Sequence, residues 1–179
     1  MIRLKSLVSA LTFLSLLVLL AGVAHAESVS ATLYKATDSG NGEELGVVTF
    51  VDDGDGITIT TDLKGLPPGQ RGFHVHEKPD CSPMVKDGKT THAGAAGGHY
   101  DPDKTGKHLG PEGGGHKGDL PFLTVADDGT AKTTMHVKGI KAAEFKNRAL
   151  MIHAGGDNYS DIPETLGGGG ARIGCGIIK

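Results

Sequence analysis

Short stretches of alternating apolar and polar residues dominate the chain after residue 26. In residues 29–36, for example, Val29, Ala31 and Leu33 share one parity, so one face of a strand there would be apolar. The acidic, glycine-bearing segment 52–56 separates two such stretches and predicts a hairpin connection. The predicted strands are 29–36, 45–51, 57–63, 73–76, 121–126, 130–137, 149–153 and 171–178, with a helical turn at 140–145. Eight short strands joined by turns predict an all-β fold, either an antiparallel sandwich or a barrel.

Residues 77–120 interrupt this pattern, because Gly, Pro, Asp and Lys dominate there and no periodicity is visible. A segment of that length without regular structure is unusual in a compact domain unless function or a bound ion orders it. Three histidines and an aspartate fall inside it: His99, His108, His116 and Asp119. We therefore expect a metal ion to supply the order that the pattern lacks.

The first 26 residues have the features of a secretory signal peptide. Arg3 and Lys5 are followed by an apolar stretch at 7–23 and by the small-residue cleavage site at 24–26. We expect a signal peptide at 1–26 and one mature domain at 27–179; a retained membrane anchor is the alternative. Cleavage removes two positive charges and moves the formal net charge from −3 to −5. An acidic mature chain has no general affinity for nucleic acid, nor for anionic membranes once the signal is cleaved.

Composition limits what can build the core and the covalent framework. Aromatic residues make up only 4 % of the chain, so Val, Ile, Leu and Ala must supply most of the buried surface. Cys81 and Cys175 are the only cysteines. Two cysteines in an exported chain most simply form one disulfide, here closing a loop of about 94 residues. Sulfur ligation of a metal is the rival use.

The strand at 73–76 carries the clearest chemical signal. Residues two apart in a strand point to the same face, so Val75 would face the core while His74 and His76 face the other side together. Two adjacent imidazoles on a rigid strand form half of a tetragonal nitrogen site, which copper(II) favours. A further histidine, His153, ends another predicted strand.

A second potential metal site lies in the irregular segment. His99, His108, His116 and Asp119 fall within 21 residues. Three imidazoles and one carboxylate form a closed tetrahedral set suited to zinc. Neighbouring glycines allow the backbone to turn these ligands inward at little steric cost.

The combined motifs resemble a known family over essentially the whole mature region. They are Gly72-Phe73-His74-Val75-His76, Gly98-His99-Tyr100-Asp101-Pro102, His108-Leu109-Gly110-Pro111, Gly115-His116-Lys117-Gly118-Asp119, Met151-Ile152-His153-Ala154-Gly155-Gly156-Asp157 and Gly167 through Arg172 to Gly176. The chain is similar to copper-zinc superoxide dismutases of the bacterial periplasmic type. The resemblance implies an eight-stranded antiparallel Greek-key barrel or sandwich with long metal-binding loops, this family being itself a known example of the immunoglobulin-like sandwich architecture.

The resemblance also implies roles for individual residues. Copper would be held by His74, His76, His99 and His153, and zinc by His99, His108, His116 and Asp119. His99 would bridge the two metals and carry a proton, and Arg172 would stand beside the copper as a fixed cation. Asp157 would link a copper-ligand and a zinc-ligand histidine, and Cys81 and Cys175 would form the disulfide.

The implied activity is dismutation of superoxide to dioxygen and hydrogen peroxide in the periplasm, with copper and zinc as cofactors. A periplasmic copper or zinc carrier without turnover is the alternative, as is a structural zinc domain. Lys86 and Lys89 are expected to guide the anionic substrate, whereas His92 matches no ligand of the family and is expected to face solvent. Whether the protein is a monomer or a homodimer cannot be read from the sequence.

Overall fold

The computed structural model describes residues 26–179, so the predicted signal peptide lies outside the described residues except for Ala26. Eleven strands form within this range: β1 Ser28–Thr37, β2 Gly40–Asp53, β3 Gly56–Leu63, β4 Gly69–Arg71, β5 Phe73–His76, β6 Met84–Lys86, β7 Lys89–Thr91, β8 Leu123–Val125, β9 Ala131–Lys138, β10 Ala149–His153 and β11 Arg172–Ile177. One short helix, α1, spans Ala142–Phe145, and 3-10 turns occupy Gly94–Ala96 and Thr165–Gly168. Within residues 26–179 no helix has the length and apolar character needed to cross a membrane.

Seven strands pair in one antiparallel sheet with the order β5-β10-β11-β1-β2-β3-β9. The ladder between β4 and β8 joins its two ends. β4 runs into β5 through Gly72, and β8 returns as β9 through a turn closed by the Ala126 N–H and the Thr130 carbonyl at 2.8 Å. The connections from β3 to β4 and from β9 to β10 each pass over intervening strands. The result is the predicted all-β Greek-key barrel.

The eight predicted strands correspond to β1, β2, β3, β5, β8, β9, β10 and β11, and the predicted helical turn is α1. Three strands were not predicted: β4, β6 and β7. Each has three residues and lies mostly on the surface, so it has no alternation of apolar residues from which it could be predicted. The prediction that residues 77–120 lack regular structure was therefore wrong at the β6–β7 hairpin.

Alternate side chains fill the interior of the barrel. β1 contributes Val29, Ala31 and Leu33, as its alternation predicts. The Phe50 and Phe145 rings meet edge to face at 5.6 Å, so α1 closes one end of the core. Burial of each large apolar side chain stabilises the fold by about 1.5–3 kcal/mol.

β5 and β10 are buried on both faces, unlike the longer strands β1, β2, β3 and β9. On β5, Phe73 and Val75 point into the barrel core, as predicted for Val75, while His74 and His76 are buried on the outer side. A second apolar cluster covers this outer side: Ala36, Ala93, Ala96, Ala149, Met151 and Cys175. The histidines therefore lie between the barrel wall and the long loops packed against it.

A disulfide joins the segment before β6 to β11. Cys81 and Cys175 are bonded, as predicted, with Cα atoms 5.8 Å apart. This pairing uses both sulfurs, so the alternative of sulfur ligation of a metal is excluded.

Candidate metal centre

Strand register brings the predicted copper-side residues together. β10 pairs with β5 so that Ala149 lies opposite His76, and it pairs with β11 so that His153 lies opposite Arg172. His74 precedes His76 by two residues and shares its face. Three imidazoles and a guanidinium are thus fixed by three adjacent strands of one sheet.

The irregular segment reaches this wall by pairing with β5. Val75 donates its N–H to the Gly118 carbonyl and accepts the Tyr100 N–H, both at 2.8 Å. A Cβ at Gly118 would lie 2.2 Å from the Val75 carbonyl oxygen, so only glycine permits this approach. The pairing places His99 opposite His76 and Asp119 opposite His74. Residues that are distant along the chain become neighbours at this point.

The four predicted copper ligands converge in a buried group. His74, His76, His99 and His153 each place a nitrogen within 4.8 Å of the others. The His74 and His99 ring centroids are 4.1 Å apart, and His76 and His153 stack at 5.6 Å. Such an arrangement of imidazole nitrogens suits copper.

Hydrogen bonds on the far side of two rings determine which nitrogens face inward. His76 Nδ1 lies 2.9 Å from the Gly97 carbonyl, and His153 Nδ1 lies 3.2 Å from the Gly170 carbonyl. A carbonyl only accepts, so each Nδ1 must carry the proton. The two Nε2 atoms, 3.4 Å apart, then turn unprotonated lone pairs toward each other.

The predicted zinc ligands surround the Asp119 carboxylate. His99 Nδ1, His108 Nδ1 and His116 Nδ1 lie 2.9, 3.0 and 3.3 Å from its oxygens. His99, His108 and Asp119 are fully enclosed, whereas the His116 side chain is 10 % exposed and stands at the rim. The structure therefore brings all four together, with His116 the most peripheral.

Asp157 connects the two groups. Its Oδ2 lies 2.6 Å from His74 Nε2, and its Oδ1 lies 2.7 Å from His108 Nε2. By distance alone, the second compact group of ligand atoms contains His74, His99, His108 and Asp119 rather than His116. Because Asp157 occupies the Nε2 of His74, only Nδ1 of that ring remains free, and we assign His74 to the histidine group of His76 and His153.

Within residues 26–179, three buried imidazole nitrogens lack a hydrogen-bond partner: His74 Nδ1, His99 Nε2 and His108 Nδ1. The His108 atom is near Asp119 Oδ2, but its orientation does not make a hydrogen bond. A buried polar atom without a partner costs about 1–3 kcal/mol, so three in one place require an explanation. Coordination of two metal ions would satisfy all three, and the donor set fits copper on one side and zinc on the other.

Burial keeps three of the copper-side imidazoles, those of His76, His99 and His153, neutral. It lowers the pKa of His99 to about 4 and that of His153 to about 3, with the neighbouring His74 adding to the effect in both. Burial, followed by the charges of His99 and Arg172, also holds the pKa of His76 well below its ordinary value. Neutral imidazole is the form that binds metals, so these rings are ready to bind at neutral pH.

The opposite shift occurs at His108. Burial alone would lower its pKa, but the nearby carboxylates of Asp119 and Asp157, the second of them hydrogen-bonded to Nε2, outweigh burial and raise the pKa to about 9. The contacts with His108 also lower the pKa values of Asp119 and Asp157 below their usual range despite burial. His99 adds to the effect at Asp119, and His74 adds to it at Asp157. A metal ion at this position would replace a proton on His108.

Arg172 is partly buried and is held by two backbone carbonyls. Its Nη1 donates to the Ala93 carbonyl and its Nη2 to the Gly97 carbonyl, each at 2.6 Å. The Gly97 carbonyl also accepts from His76, so one oxygen aligns both side chains. Sequence reasoning missed these acceptors because a backbone carbonyl has no residue-type signature; the paired glycines before His99 were the only hint.

The remaining predicted residues lie at the edge of the site. Lys89 and Arg172 line one cleft, and Lys86 pairs with Lys89 across the β6–β7 hairpin, both lysines being exposed. His92 lines the same cleft, and its side chain is 39 % exposed, in line with the expectation that it faces solvent. Its Nε2 also lies 2.9 Å from Asp38 on the turn after β1.

Comparisons with known proteins agree with this geometry. The family described as copper/zinc superoxide dismutase (SODC) matches residues 44–178. A Cu-Zn superoxide dismutase of Brucella abortus is 52 % identical over 168 residues, which cover 92 % of this chain and 96 % of the relative. The alternative of a carrier without turnover finds no support among these matches.

Solved structures extend the likeness to the fold. The Cu/Zn superoxide dismutase from Brucella abortus matches with a TM-score of 0.82 at 52 % identity, covering 86 % of this chain and 100 % of that one. A solution structure described as the monomeric copper, zinc superoxide dismutase from Salmonella enterica matches with a TM-score of 0.73 at 49 % identity and the same coverage. The chain therefore belongs to the copper/zinc superoxide dismutase family.

Proposed function

We propose that the mature chain, residues 27–179, dismutes superoxide with the two histidine groups described above as its metal ligands. Two superoxide anions and two protons give one dioxygen and one hydrogen peroxide. The proposed copper ligands are His74, His76, His99 and His153, and the proposed zinc ligands are His99, His108, His116 and Asp119. The observation that carries this proposal is the set of three buried imidazole nitrogens without a hydrogen-bond partner, since metal coordination would give each of them a partner.

When bound, copper supplies a one-electron couple between Cu(II) and Cu(I), and zinc supplies a fixed charge without redox chemistry. The chain must provide the rest. His99 has Nδ1 against Asp119 and an unpartnered Nε2, so it reaches both groups and can hold a proton at Nε2 when that atom is free. Its lowered pKa favours giving that proton up again.

Arg172 provides the positive charge for an anionic substrate. Its guanidinium stays charged at neutral pH although burial lowers its pKa from the ordinary value. Two carbonyls fix its orientation, and it stands opposite His153 across the β10–β11 ladder. We propose that it attracts and orients superoxide beside the copper ligands.

Export completes the proposal. A signal peptide at 1–26 would deliver the domain to the periplasm, where the disulfide between Cys81 and Cys175 can form and persist. Mass spectrometry of the exported protein should give Glu27 as the first residue. A mature chain that retains residues 1–26 would contradict this part of the proposal.

The decisive experiment measures dismutation by the mature protein loaded with copper and zinc, beside a zinc-only sample. Fast turnover should require copper. His153→Ala should abolish turnover while zinc content stays unchanged, because His153 does not contact Asp119 or Asp157 in this structure. His136→Ala, which removes an exposed histidine on β9, is the matched control and should retain activity. Full loading with both metals but no turnover would favour a carrier.

A further inference from the structure

The Asp161 carboxylate makes two hydrogen bonds that the proposed ligand set does not explain. Its Oδ2 accepts the backbone N–H of His108 at 2.9 Å, and its Oδ1 accepts the backbone N–H of Leu166 at 3.1 Å. His108 belongs to the long loop before β8, whereas Leu166 belongs to the loop between β10 and β11 that also carries Asp157. One side chain therefore joins the two loops.

The loops meet over the hydrogen bond between Asp157 and His108. Gly167 follows Leu166, and a Cβ at Gly167 would lie 2.1 Å from Asp157 Oδ1 and 2.8 Å from His108 Nε2. The Gly167 backbone thus lies directly against that hydrogen bond. Asp161 restrains the backbone on one side of the contact through Leu166, and on the other side through the amide of His108 itself.

The conformation at Leu166 needs such a restraint. Its φ of 55° lies in the left-handed region, which leucine rarely adopts because its Cβ crowds the following carbonyl oxygen. Main-chain bonds from Gly167 N–H to the Ser160 carbonyl at 3.0 Å and from Asn158 N–H to the Gly167 carbonyl at 3.1 Å close the rest of the loop. The charge-assisted hydrogen bond that Asp161 accepts from the Leu166 N–H holds this residue in place beside those main-chain bonds.

We propose that Asp161 is a positioning residue for the zinc site, which fastens the two loops so that Asp157 keeps His108 oriented and zinc is released slowly. The inference rests on the proposed role of His108 as a zinc ligand. Asp161 contacts neither substrate nor any ligand atom; it acts through the main chain of His108 and of Leu166.

Asp161→Asn tests the proposal with almost no change of shape. An amide replaces one accepting oxygen by an NH₂ group, which must then face a backbone N–H donor. We expect the fully loaded protein to lose zinc to a chelator about 10-fold faster than wild type, the size typical of losing a group that orients a metal ligand. Copper loss should change by less than about twofold, because Asp161 bonds to the main chain of His108, whereas the copper-side residues His74, His76 and His153 are held in place by β5 and β10.

Glu164→Gln is the matched control. It removes one negative charge from the same loop, but its exposed side chain makes neither of the two contacts, so zinc should be retained as in wild type. Equal zinc loss in both variants would overturn the proposal. Parallel acceleration of zinc and copper loss, with a lower Tm of the metal-free variant, would also overturn it, because it would show general loosening of the fold.

Failure of the proposed function would look different. Wild type that does not bind one zinc per chain would refute the ligand assignment before any variant is compared. If Asp161→Asn does not fold, Asp161→Glu is measured in the same way. It keeps the charge but moves the carboxylate by one methylene, and it should accelerate zinc loss without changing copper loss.

Discussion

Four histidines of the site are oriented by the nitrogen that faces away from the proposed metal positions. Carbonyls hold His76 and His153, and the Asp157 carboxylate holds His74 and His108. The rings of His76 and His153 remain neutral because burial lowers their pKa values. His108 lies between two carboxylates, which raise its pKa to about 9, so this ring keeps its proton at neutral pH.

This difference predicts how zinc binding depends on pH. At about pH 7.5, zinc must displace the proton of His108, so binding should release about one proton from this ring and strengthen as pH rises. Above the pKa of about 9 the ring is already neutral, and its contribution should vanish. Calorimetry of the metal-free protein in buffers of different ionisation enthalpy measures the release. Binding at about pH 7.5 with no proton released would contradict the assignment.

At the scale of elements, the contact between β5 and the loop at Gly118 is the junction on which the site depends. The loop carries His99 and Asp119 and lies against the strand that carries His74 and His76. Close approach of the two backbones fixes this junction.

Gly118→Ala should therefore damage the site from outside the ligand set. The added Cβ would meet the Val75 carbonyl, and we expect a loss of about 1–3 kcal/mol in the free energy of unfolding, together with weaker zinc binding. Gly98→Ala is the control, since its Cβ would enter open space. Chemical denaturation and zinc titration of both variants provide the test. Equal stability of the two variants would show that the loop adapts.

Strands with one buried face were predictable, and the structure shows why others were not. Val29, Ala31 and Leu33 alternate because the barrel buries only one side of β1. β4 and the β6–β7 hairpin bury little, so they leave no pattern. In the site, residue types revealed the imidazoles and carboxylates. The role of the Ala93 and Gly97 carbonyls could not be predicted from the sequence, because only the fold decides which backbone carbonyl becomes an acceptor.

The disulfide links two elements that together hold Arg172. Cys175 lies on the strand that begins with Arg172, and Cys81 anchors the segment that supplies the Ala93 and Gly97 carbonyls. Replacing both cysteines by serine removes the cross-link without leaving a free thiol. We expect the free energy of unfolding to fall by up to about 4–5 kcal/mol, a chain-entropy figure, and copper to be lost faster to a chelator. Equal copper occupancy in the double variant and in wild type would refute the link to the site.

On the scale of the whole molecule, the negative net charge opposes the capture of superoxide. Residues 27–179 have a formal net charge of −5, which repels superoxide at long range. Capture must therefore depend on local positive potential near Arg172. Lys89 lines the same cleft as Arg172, and Lys86 stands beside it on the hairpin, with both ammonium groups exposed. We therefore expect the hairpin lysines to add positive charge beside the cleft that Arg172 lines.

Charge reversal at Lys89 should slow capture without touching the metal ligands. Electrostatic steering, for which this family is itself a standard example, acts on association and weakens once salt shortens the Debye length to about 10 Å near 0.1 M. We expect Lys89→Glu to lower kcat/KM several-fold at low ionic strength, with the difference shrinking as salt is added. Lys132→Glu, at an exposed lysine of β9 that pairs with Asp62, makes the same change in net charge outside the cleft of Lys89 and Arg172 and should have a much smaller effect. If both variants lose activity equally, net charge governs capture; if neither does, Arg172 alone attracts the substrate and the hairpin lysines do not guide it.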